Sequence, residues 1–282
     1  MLFRSKRLLL TFLAGIFVAC ASKNYGDDQY QLRMATHGKD VMWVPTKVEM
    51  ANQMLALAKV GQGDIVYDLG SGDGVIPIQA AKMYGVQSVG IEYNADLVAL
   101  SQRNAVSEGV KNLVKFKQGD IFKEDFSSAT VVTLFLGDSL NAKLMPTLLK
   151  MKPGTRVVSN TFRMDSWIPD QEVRVNLNEV ALLWIVPASI DGNWIFSGLP
   201  SMETANIKFL QKKQFIDGTI SQIDKRPISF EDGRIRGDEI EFDFVLNSKK
   251  YAFRGTVKNS EISGLLNNDP KLAVTGRLAK GK

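Results

Sequence analysis

The chain has 282 residues, 45% of them hydrophobic, and a formal net charge of +5. This is enough apolar material for an ordinary core in one large or two modest domains. Basic and acidic side chains are mixed along the chain, which excludes the basic stripe typical of nucleic-acid-binding proteins. One Cys and one His exclude a disulfide framework, a Cys/His zinc site and a Cys/His nucleophilic pair. Any chemistry must use carboxylates, hydroxyls, amides or a bound cofactor.

Residues 1–22 have the pattern of an export signal. Three basic residues precede the apolar run LLLTFLAGIFVACA, which is shorter than a comfortable transmembrane span. The run ends in FVAC, close to the box after which bacterial lipoproteins are cleaved and lipidated, so Cys20 is a lipidation candidate. Cleavage after Ala21 would instead release a soluble periplasmic protein, and a retained segment would act as a membrane anchor. We therefore predict a protein of the bacterial cell envelope, attached to the membrane through its N-terminus or periplasmic.

The next segments predict a linker and the start of a structured domain. Residues 23–40 are polar and lack apolar periodicity, which favours a linker. Thr46 and Glu49 are spaced as a capping box ahead of apolar residues at helical spacing, so we predict a helix from Thr46. The strand IVYDLG follows, then a glycine turn and a helix with Pro77 in its first turn. The strand SVGIEY precedes a further helix, which Asn94 would cap.

Strands and helices continue to alternate up to about residue 190. We predict strands at VKFKQGD, ATVVTLFL, TRVVSNTF and EVALLWIVP, and a helix at SLNAKLMPTLLKM that is bent or interrupted at Pro146. The near-continuous apolar strands favour a parallel sheet that is covered on both faces. Residues 41–190 are therefore predicted to form a doubly wound α/β domain.

The motif DLGSGDG, at the end of the first strand, predicts a ligand site. Gly70, Gly72 and Gly74 form G-x-G-x-G at the sheet edge where doubly wound folds bind ligands. Dinucleotide sites need G-x-G-x-x-G, so the spacing disfavours a nicotinamide cofactor and an oxidoreductase. Glu92 ends the second strand, where a carboxylate can accept hydrogen bonds from two ribose hydroxyls. Asp120 ends the third strand, where it can accept from an adenine amino group. The pattern describes a nucleoside site without a phosphate requirement.

This order of motifs resembles the class I S-adenosylmethionine-dependent methyltransferases. Over residues 41–187, the stretches WVPT, VYDLGSGDG, GIEYN, GDIF and VTLFLGDSLN are most similar to the seven-stranded lysine methyltransferases related to the mitochondrial ATP synthase c-subunit enzyme. The resemblance implies a seven-stranded Rossmann-like sheet and S-adenosyl-L-methionine as the cofactor. It further implies these binding residues: Asp68, Gly70, Ser71, Gly72, Asp73 and Gly74 for the methionine part, Glu92 for the ribose, Asp120 and the Ile121 backbone for adenine, and Val44, Pro45 and Thr46 beside the methyl group.

The implied reaction is an in-line displacement at a sulfonium methyl group. The cofactor brings an activated leaving group, so the protein mainly supplies proximity and orientation. The Asn/Asp-Pro-Pro-Tyr signature of nucleobase methylation is missing after the fourth strand, where LGDSLN stands. We therefore expect a protein lysine or another amine, including a small-molecule amine, as acceptor, and no nucleic acid. No residue is assigned as a catalytic base, and no metal site is predicted.

Residues 191–282 predict a separate all-β unit. Short alternating runs, such as Ile240, Phe242, Phe244 and Leu246, are broken by Asp-Gly, Gly-Asp and Asn-Ser turns. This pattern is typical of a β-meander in a small barrel or sandwich. It would either shield an edge of the sheet or recruit substrate.

The two ends of the chain lead to different functional hypotheses. The N-terminal segment predicts export from the cytoplasm, whereas the glycine loop predicts binding of S-adenosylmethionine. That cofactor has no obvious supply outside the cytoplasm. One hypothesis is an envelope-associated methyltransferase. The alternative is an exported lipoprotein that keeps the fold as a nucleoside-type binding module without turnover. Labelled methyl transfer separates the two.

Overall fold

The computed structural model describes residues 24–222 and 225–279. They form a seven-stranded sheet with helices and, after it, a closed eight-stranded barrel. The predicted export segment, residues 1–22 with Cys20, lies outside the described residues. Within the described ranges no helix is long and apolar enough to cross a membrane.

The first unit is an α/β domain with a mixed sheet. Its helices are α1 (Val48–Leu57), α2 (Val75–Tyr84), α3 (Ala95–Ser107) and α4 (Asp138–Leu148). Its strands are β1 (Ile65–Leu69), β2 (Gln87–Glu92), β3 (Val114–Gln118), β4 (Val131–Leu134), β5 (Arg156–Asn160), β6 (Gln171–Arg174) and β7 (Val180–Ile185). The strand order is β3-β2-β1-β4-β5-β7-β6.

The prediction of an all-parallel sheet is wrong at one side of the domain. Strands β1 to β5 pair in parallel, but β7 runs antiparallel to both β5 and β6. The β6 strand was not predicted, because all four of its residues are exposed and no apolar run marks it. Since β7 is reversed, it begins at the edge where the parallel strands end.

Both faces of the sheet are covered, as predicted, but by different material. On one face, Met54 of α1 and Ile76 of α2 pack against Val66 of β1, and α3 lies beside α2. On the other face, Leu144 of α4 shares a core with Trp167, which lies in the segment after β5. One face is therefore helical, whereas the other combines one helix with irregular chain.

The two predicted helix caps have different outcomes. Asn94 caps α3, because its Oδ1 accepts from the backbone nitrogens of Asp96 at 2.8 Å and Leu97 at 3.4 Å. The capping box at Thr46 is not formed. Lys47 is the N-cap residue of α1, without a side-chain cap hydrogen bond, and the helix begins at Val48. Thr46 consequently lies in the loop before α1.

Residues 24–43, most of which were predicted to be a linker, pack against the α/β domain. Leu32 is fully buried and clusters with residues of α3. Arg103 of α3 donates from Nη2 to Asp27 Oδ1 over 3.0 Å. A hairpin then forms between Thr36 and Trp43, whose nitrogen donates to the Thr36 carbonyl over 2.8 Å. One buried apolar residue and one ion pair leave no apolar periodicity in the sequence. The segment therefore has the composition of a linker.

The second unit is a closed antiparallel barrel, one of the two predicted forms. Its strands are β8 (Gly192–Ser197), β9 (Thr204–Lys212), β10 (Phe215–Ser221), β11 (Ile228–Arg236), β12 (Glu239–Leu246), β13 (Lys249–Lys258), β14 (Glu261–Leu266) and β15 (Ala273–Leu278), with a 3₁₀ turn at Pro270–Leu272. Aromatic rings fill the interior, and those of Phe230 and Phe242 stack with centroids 4.4 Å apart. The barrel is therefore a packed core rather than a container.

The barrel joins the α/β domain at the amino-terminal edge of its parallel strands. The nitrogen of Ala188 donates to the carbonyl of Gly237 over 2.7 Å. Arg234 of β11 donates to the almost fully buried Asp170 over 2.8 Å, and the same carboxylate accepts from the nitrogen of Ile185 over 2.8 Å. The glycine loop follows the carboxyl end of β1, so it lies at the opposite edge of the sheet.

Candidate functional site

The glycine loop after β1 is shaped by backbone conformation and close packing. Gly72 and Gly74 have φ values of +54° and +85°, a region that favours glycine. A Cβ atom on Gly72 would lie 2.5 Å from the indole Nε1 of Trp43, and one on Gly74 would lie 2.5 Å from the ring of Phe116. Side chains are absent here because aromatic rings already occupy that space.

Two carboxylates at this loop are desolvated by the protein around them. Asp68, the penultimate residue of β1, is 3% exposed and accepts from Thr133 Oγ1 over 2.6 Å, and Asp73 is half-buried within the loop. Desolvation raises the pKa of Asp68 to about 7, and it raises the pKa of Asp73 to about 6. No ion pair involving either carboxylate occurs among the described residues. A cationic ligand would stabilise both in the ionised form.

Glu92 ties the glycine loop to the end of β2. Its Oε2 accepts from the nitrogen of Gly72 over 3.0 Å, and its Oε1 accepts from the nitrogen of Asn94 over 2.9 Å. These bonds fix the orientation of a carboxylate that is 8% exposed. Each oxygen keeps a further lone pair, which is the capacity needed to accept from two adjacent hydroxyl groups.

Asp120 after β3 is already engaged by the N-terminal hairpin. Its Oδ1 accepts from the nitrogen of Phe122 over 3.0 Å, and its Oδ2 lies 2.9 Å from Lys39 Nζ. The Phe122 hydrogen bond, followed by the Lys39 contact, lowers the pKa of Asp120. Lys39 Nζ also lies 5.5 Å from the centroid of the Tyr93 ring. The hairpin therefore covers this end of the site.

The predicted site residues line two neighbouring cavities. The larger has about 600 Å³ of space, including space open to solvent, and is lined by Gly70, Glu92, Asp120 and Ile121 together with hairpin residues 38–43. The smaller is lined by Thr46, Asp68, Gly70, Ser71, Gly72 and Asp73. Trp43 and Phe135 border both cavities. Of the predicted residues, Pro45 and Gly74 line neither cavity, and Gly74 packs against Phe116.

The carboxyl end of β5 adds a rigid wall beside these cavities. The Phe162 ring lies 5.8 Å from that of Phe135 and stacks on it. Asn141 of α4 donates to the Phe162 carbonyl over 3.0 Å. Thr161 has a φ of +65°, and the nitrogen of Phe162 donates back to the Asn160 carbonyl over 2.7 Å. Such a strained turn persists only where its surroundings hold it in place.

The described residues fit S-adenosylmethionine. The Asp68 and Asp73 carboxylates lie at one end, where the ammonium and sulfonium charges of that molecule need anionic partners. Glu92 lies between the two ends with acceptor capacity for a ribose, and the far end combines Asp120 with an apolar lining of Ile121, Leu136 and Leu140. The buried Ser71 hydroxyl has no hydrogen-bond partner among the described residues. No described group of three or more His, Cys, Asp and Glu side chains is arranged to hold a metal ion.

Known proteins with similar sequences match the α/β domain that carries this candidate site. The ANTKMT methyltransferase domain family matches residues 68–171. A protein-lysine N-methyltransferase from Saccharolobus islandicus (strain REY15A) is 42% identical over 151 residues, which cover 52% of this chain and 94% of that protein. The ATP synthase c-subunit lysine N-methyltransferase from Caenorhabditis elegans is 30% identical, over 50% of this chain and 78% of that protein. The chain belongs to this family of class I S-adenosylmethionine-dependent methyltransferases.

A solved structure supports the same conclusion for the methyltransferase domain. An RNA methyltransferase from Salinibacter ruber, in complex with S-adenosyl-L-homocysteine, is 47% identical with a TM-score of 0.51. The match covers 52% of this chain and 96% of that chain. The predicted family, enzyme class and cofactor are therefore confirmed. About half of this chain lies outside the match.

Two parts of the site were not assigned from the sequence. The hairpin that carries Lys39 lies in the stretch that was predicted to be a linker, and its composition gives no signal for its position. Trp43 and Phe135 are aromatic residues of a type that more often fills a core, so their sequence positions did not distinguish a cavity wall from ordinary packing. Only the fold shows that both rings border the two cavities.

Proposed function

We propose that this methyltransferase transfers a methyl group from S-adenosylmethionine to the ε-amine of a protein lysine. The observation that carries the proposal is the 42% identity to a protein-lysine N-methyltransferase over 94% of that protein's length. The ATP synthase c-subunit lysine N-methyltransferases support the same acceptor class. The acceptor protein itself is outside this proposal.

Each predicted residue has a physical role in this proposal. Asp68 and Asp73 balance the cationic methionine end of the cofactor, because both carboxylates are desolvated and neither has a cationic partner among the described residues. Glu92 accepts from the ribose hydroxyls. Asp120 accepts from the adenine amino group, so Lys39 must share or release its Oδ2. Thr46, freed from helix capping, borders the methyl group.

The chain contributes mainly orientation and water exclusion. The cofactor, when bound, supplies a methyl group on a sulfonium. The lysine nitrogen forms its bond to the methyl carbon as the carbon–sulfur bond breaks, and the amine proton passes to solvent. The aromatic pair Phe135 and Phe162 favours the neutral, nucleophilic amine, since an apolar surrounding lowers the pKa of a lysine. The strained turn at Thr161 holds Phe162 in that position.

RNA is a second candidate acceptor, because the structure with 47% identity is described as an RNA methyltransferase. The stretch LGDSLN stands where the Asn/Asp-Pro-Pro-Tyr signature would follow the fourth strand, and the missing signature argues against methylation of a nucleobase amino group. Protein and RNA acceptors are distinguished directly by experiment.

The test uses the full chain, tritiated S-adenosylmethionine and a bacterial extract divided into four samples. One sample is untreated, one is treated with ribonuclease, one with protease, and one has its lysines blocked by acetylation, which converts each amine into a non-nucleophilic amide. We expect label in protein that survives ribonuclease and is lost when lysines are blocked. Label that is lost on ribonuclease treatment would show that the acceptor is RNA and not a protein lysine. Cofactor binding by calorimetry without any transfer would instead support the binding-module alternative.

We further propose that residues 1–22 direct the protein to the cell envelope. The support is the basic start, the apolar run and Cys20 in FVAC. Fractionation of cells that make the full chain should place it in the envelope, with labelled fatty acid attached. Cys20→Ala should abolish the lipid label. Recovery of the unprocessed chain in the soluble cytoplasmic fraction would contradict the proposal and remove its conflict with the cofactor supply.

A further inference from the structure

A carboxylate that is not part of the predicted cofactor site lies on the β5 side of the same sheet edge. Strand β7 runs antiparallel to β5, and its residue Ala181 pairs with Asn160 at the end of β5. The nitrogen of Thr161 donates to the carbonyl of Val180 over 2.7 Å. Glu179 directly precedes Val180. It therefore lies beside the strained turn that holds Phe162.

Lys47 connects this carboxylate to the cofactor cavity. Thr46 lines the smaller cavity together with Asp68. The next residue, Lys47, places its Nζ 2.9 Å from Glu179 Oε2. The Lys47 amine therefore pairs with Glu179, and the residue before Lys47 lines the smaller cavity. The two residues are 132 positions apart in the sequence, so only the fold brings them together.

The two partners are held very differently. The Glu179 side chain is 18% exposed, whereas that of Lys47 is 67% exposed. Asn176 Nδ2 also donates to Glu179 Oε2, and the nitrogen of Glu179 donates to Asn176 Oδ1 over 3.0 Å. The hydrogen bond from Asn176, with that from Lys47, lowers the pKa of Glu179 and keeps it ionised. The carboxylate is preorganised, but its lysine partner is a solvent-exposed and weakly held cation.

Other carboxylates on this side of the edge have different partners. Asp138 Oδ1 accepts from the nitrogen of Arg163 over 2.6 Å. Glu172 forms a two-pronged pair with the Arg163 guanidinium, at 2.7 and 2.9 Å. Within the part of the chain that the structure describes, neither of these carboxylates is paired with a lysine, whereas Glu179 is.

We propose that Glu179 is a specificity-determining residue that binds the ammonium group of the acceptor lysine, and that Lys47 occupies it in the acceptor-free enzyme. This inference rests on the proposed function, a lysine acceptor. The acceptor lysine displaces Lys47 from Glu179. Because both partners are lysines and Lys47 is exposed, the free-energy cost of this exchange is small. The acceptor then loses its proton to solvent and moves to the apolar side of Phe135 and Phe162, where transfer takes place.

The test measures methyl transfer at varied extract concentration, together with the cofactor Kd. Glu179→Gln removes the charge but keeps the shape. We expect the apparent KM for acceptor protein to rise about 10-fold or more, as for loss of a charged hydrogen bond, with kcat and cofactor Kd unchanged. Lys47→Gln removes the resident competitor. It should lower the apparent KM, by less than about fivefold because the pair is exposed.

Two further variants separate acceptor binding from a purely structural role. Glu172→Gln breaks a comparable ion pair on β6 and should leave the apparent KM unchanged. The double reversal Lys47→Glu with Glu179→Lys rebuilds an ion pair between the start of α1 and the β6–β7 turn. If the pair only holds these elements together, the reversal restores the normal KM and overturns the proposal. If Glu179 binds the acceptor, the KM stays raised while the melting temperature recovers.

The outcomes also separate this inference from the proposed function. If protein lysines are labelled and Glu179→Gln has a normal apparent KM for the acceptor, the role of Glu179 is wrong but the lysine acceptor stands. Cofactor binding without any label in lysine overturns the lysine acceptor, and the role of Glu179 falls with it. Lysine label with a KM raised only in the Glu179 variants supports both.

Discussion

The carboxyl edge of the sheet and the interior of the barrel use burial in opposite ways. Among the described residues, most buried polar side chains lie between Asp68 and Asn160 in the sequence; the exceptions include Gln214 and the Asp170 carboxylate where the barrel joins the sheet. The core cluster of the barrel is entirely hydrophobic. Buried charge and strained backbone lower the stability of a fold, so they persist where ligand binding compensates for them. We therefore expect the carboxyl edge of the sheet to carry the chemistry and the barrel to contribute mainly to stability.

The largest expected effect is on the barrel. Phe253 is fully buried among other aromatic rings, and Phe253→Ala leaves a cavity there. We expect a loss of about 3–5 kcal/mol in the free energy of unfolding of the barrel. Because the barrel joins the sheet at the edge away from the site, the cofactor Kd measured well below the melting temperature should stay unchanged. Denaturant unfolding and calorimetry check both parts, and a weakened Kd would break the division between the two regions.

At the carboxyl edge of the sheet, we expect a substitution to weaken cofactor binding without lowering the stability of the fold. Asp68→Asn removes a buried carboxylate whose pKa burial raises to about 7. The cofactor Kd should rise about 100-fold, because the cationic methionine end loses an anionic partner in a buried site. The cofactor-free protein should melt at a higher temperature at pH 8, since the more deeply buried of the two desolvated charges is removed. Thr133→Val is the matched control, because it removes the 2.6 Å hydrogen bond to Asp68 but keeps the carboxylate. A lower melting temperature for Asp68→Asn would show that the carboxylate supports the fold.

The pH dependence of stability and of cofactor affinity tests the role of the two desolvated carboxylates. Desolvation raises the pKa of Asp68 to about 7 and that of Asp73 to about 6, both above the ordinary 3.8. The folded, cofactor-free protein therefore binds protons more tightly than the unfolded chain, and it loses stability as the pH rises from about 4 to 7. Cofactor binding needs the ionised forms, so affinity should increase over pH 5.5 to 7.5, by up to about tenfold per pH unit for each of the two carboxylates.

Calorimetry across this pH range provides the check. Asp68→Asn should flatten the affinity profile. Asp120→Asn should keep its slope, because the hydrogen bond from Phe122 holds the pKa of Asp120 below its ordinary 3.8 and so below this range. A flat profile in the unchanged protein would exclude desolvated carboxylates as the partners of the cofactor.

The smallest expected effect concerns the hairpin. Lys39→Ala frees Asp120 from its exposed ion pair. If the adenine amino group replaces Lys39 at that carboxylate, the cofactor Kd should fall, by no more than about fivefold. Lys82→Ala, which breaks an exposed pair with Glu108, is a matched control. A higher Kd for Lys39→Ala would show that Lys39 itself contacts the cofactor.

The sequence alone predicts which residues meet at the cofactor end of the candidate site. Gly70, Gly72, Glu92 and Asp120 follow three strands whose apolar runs are visible locally, and parallel strands bring their ends to one edge. The cap at Asn94 was predictable for the same reason, since a cap depends on residues within one helical turn.

Only the tertiary structure decided the acceptor side and the cover of the site. The Lys47–Glu179 pair, the Lys39–Asp120 pair and the reversed strand β7 join segments that are far apart in the chain. Closure of the barrel rests on the pairing of β8 with both β9 and β15, and alternation within each strand is equally compatible with a sandwich. Contacts of this kind leave no periodicity in the sequence, because each depends on where two independent elements meet.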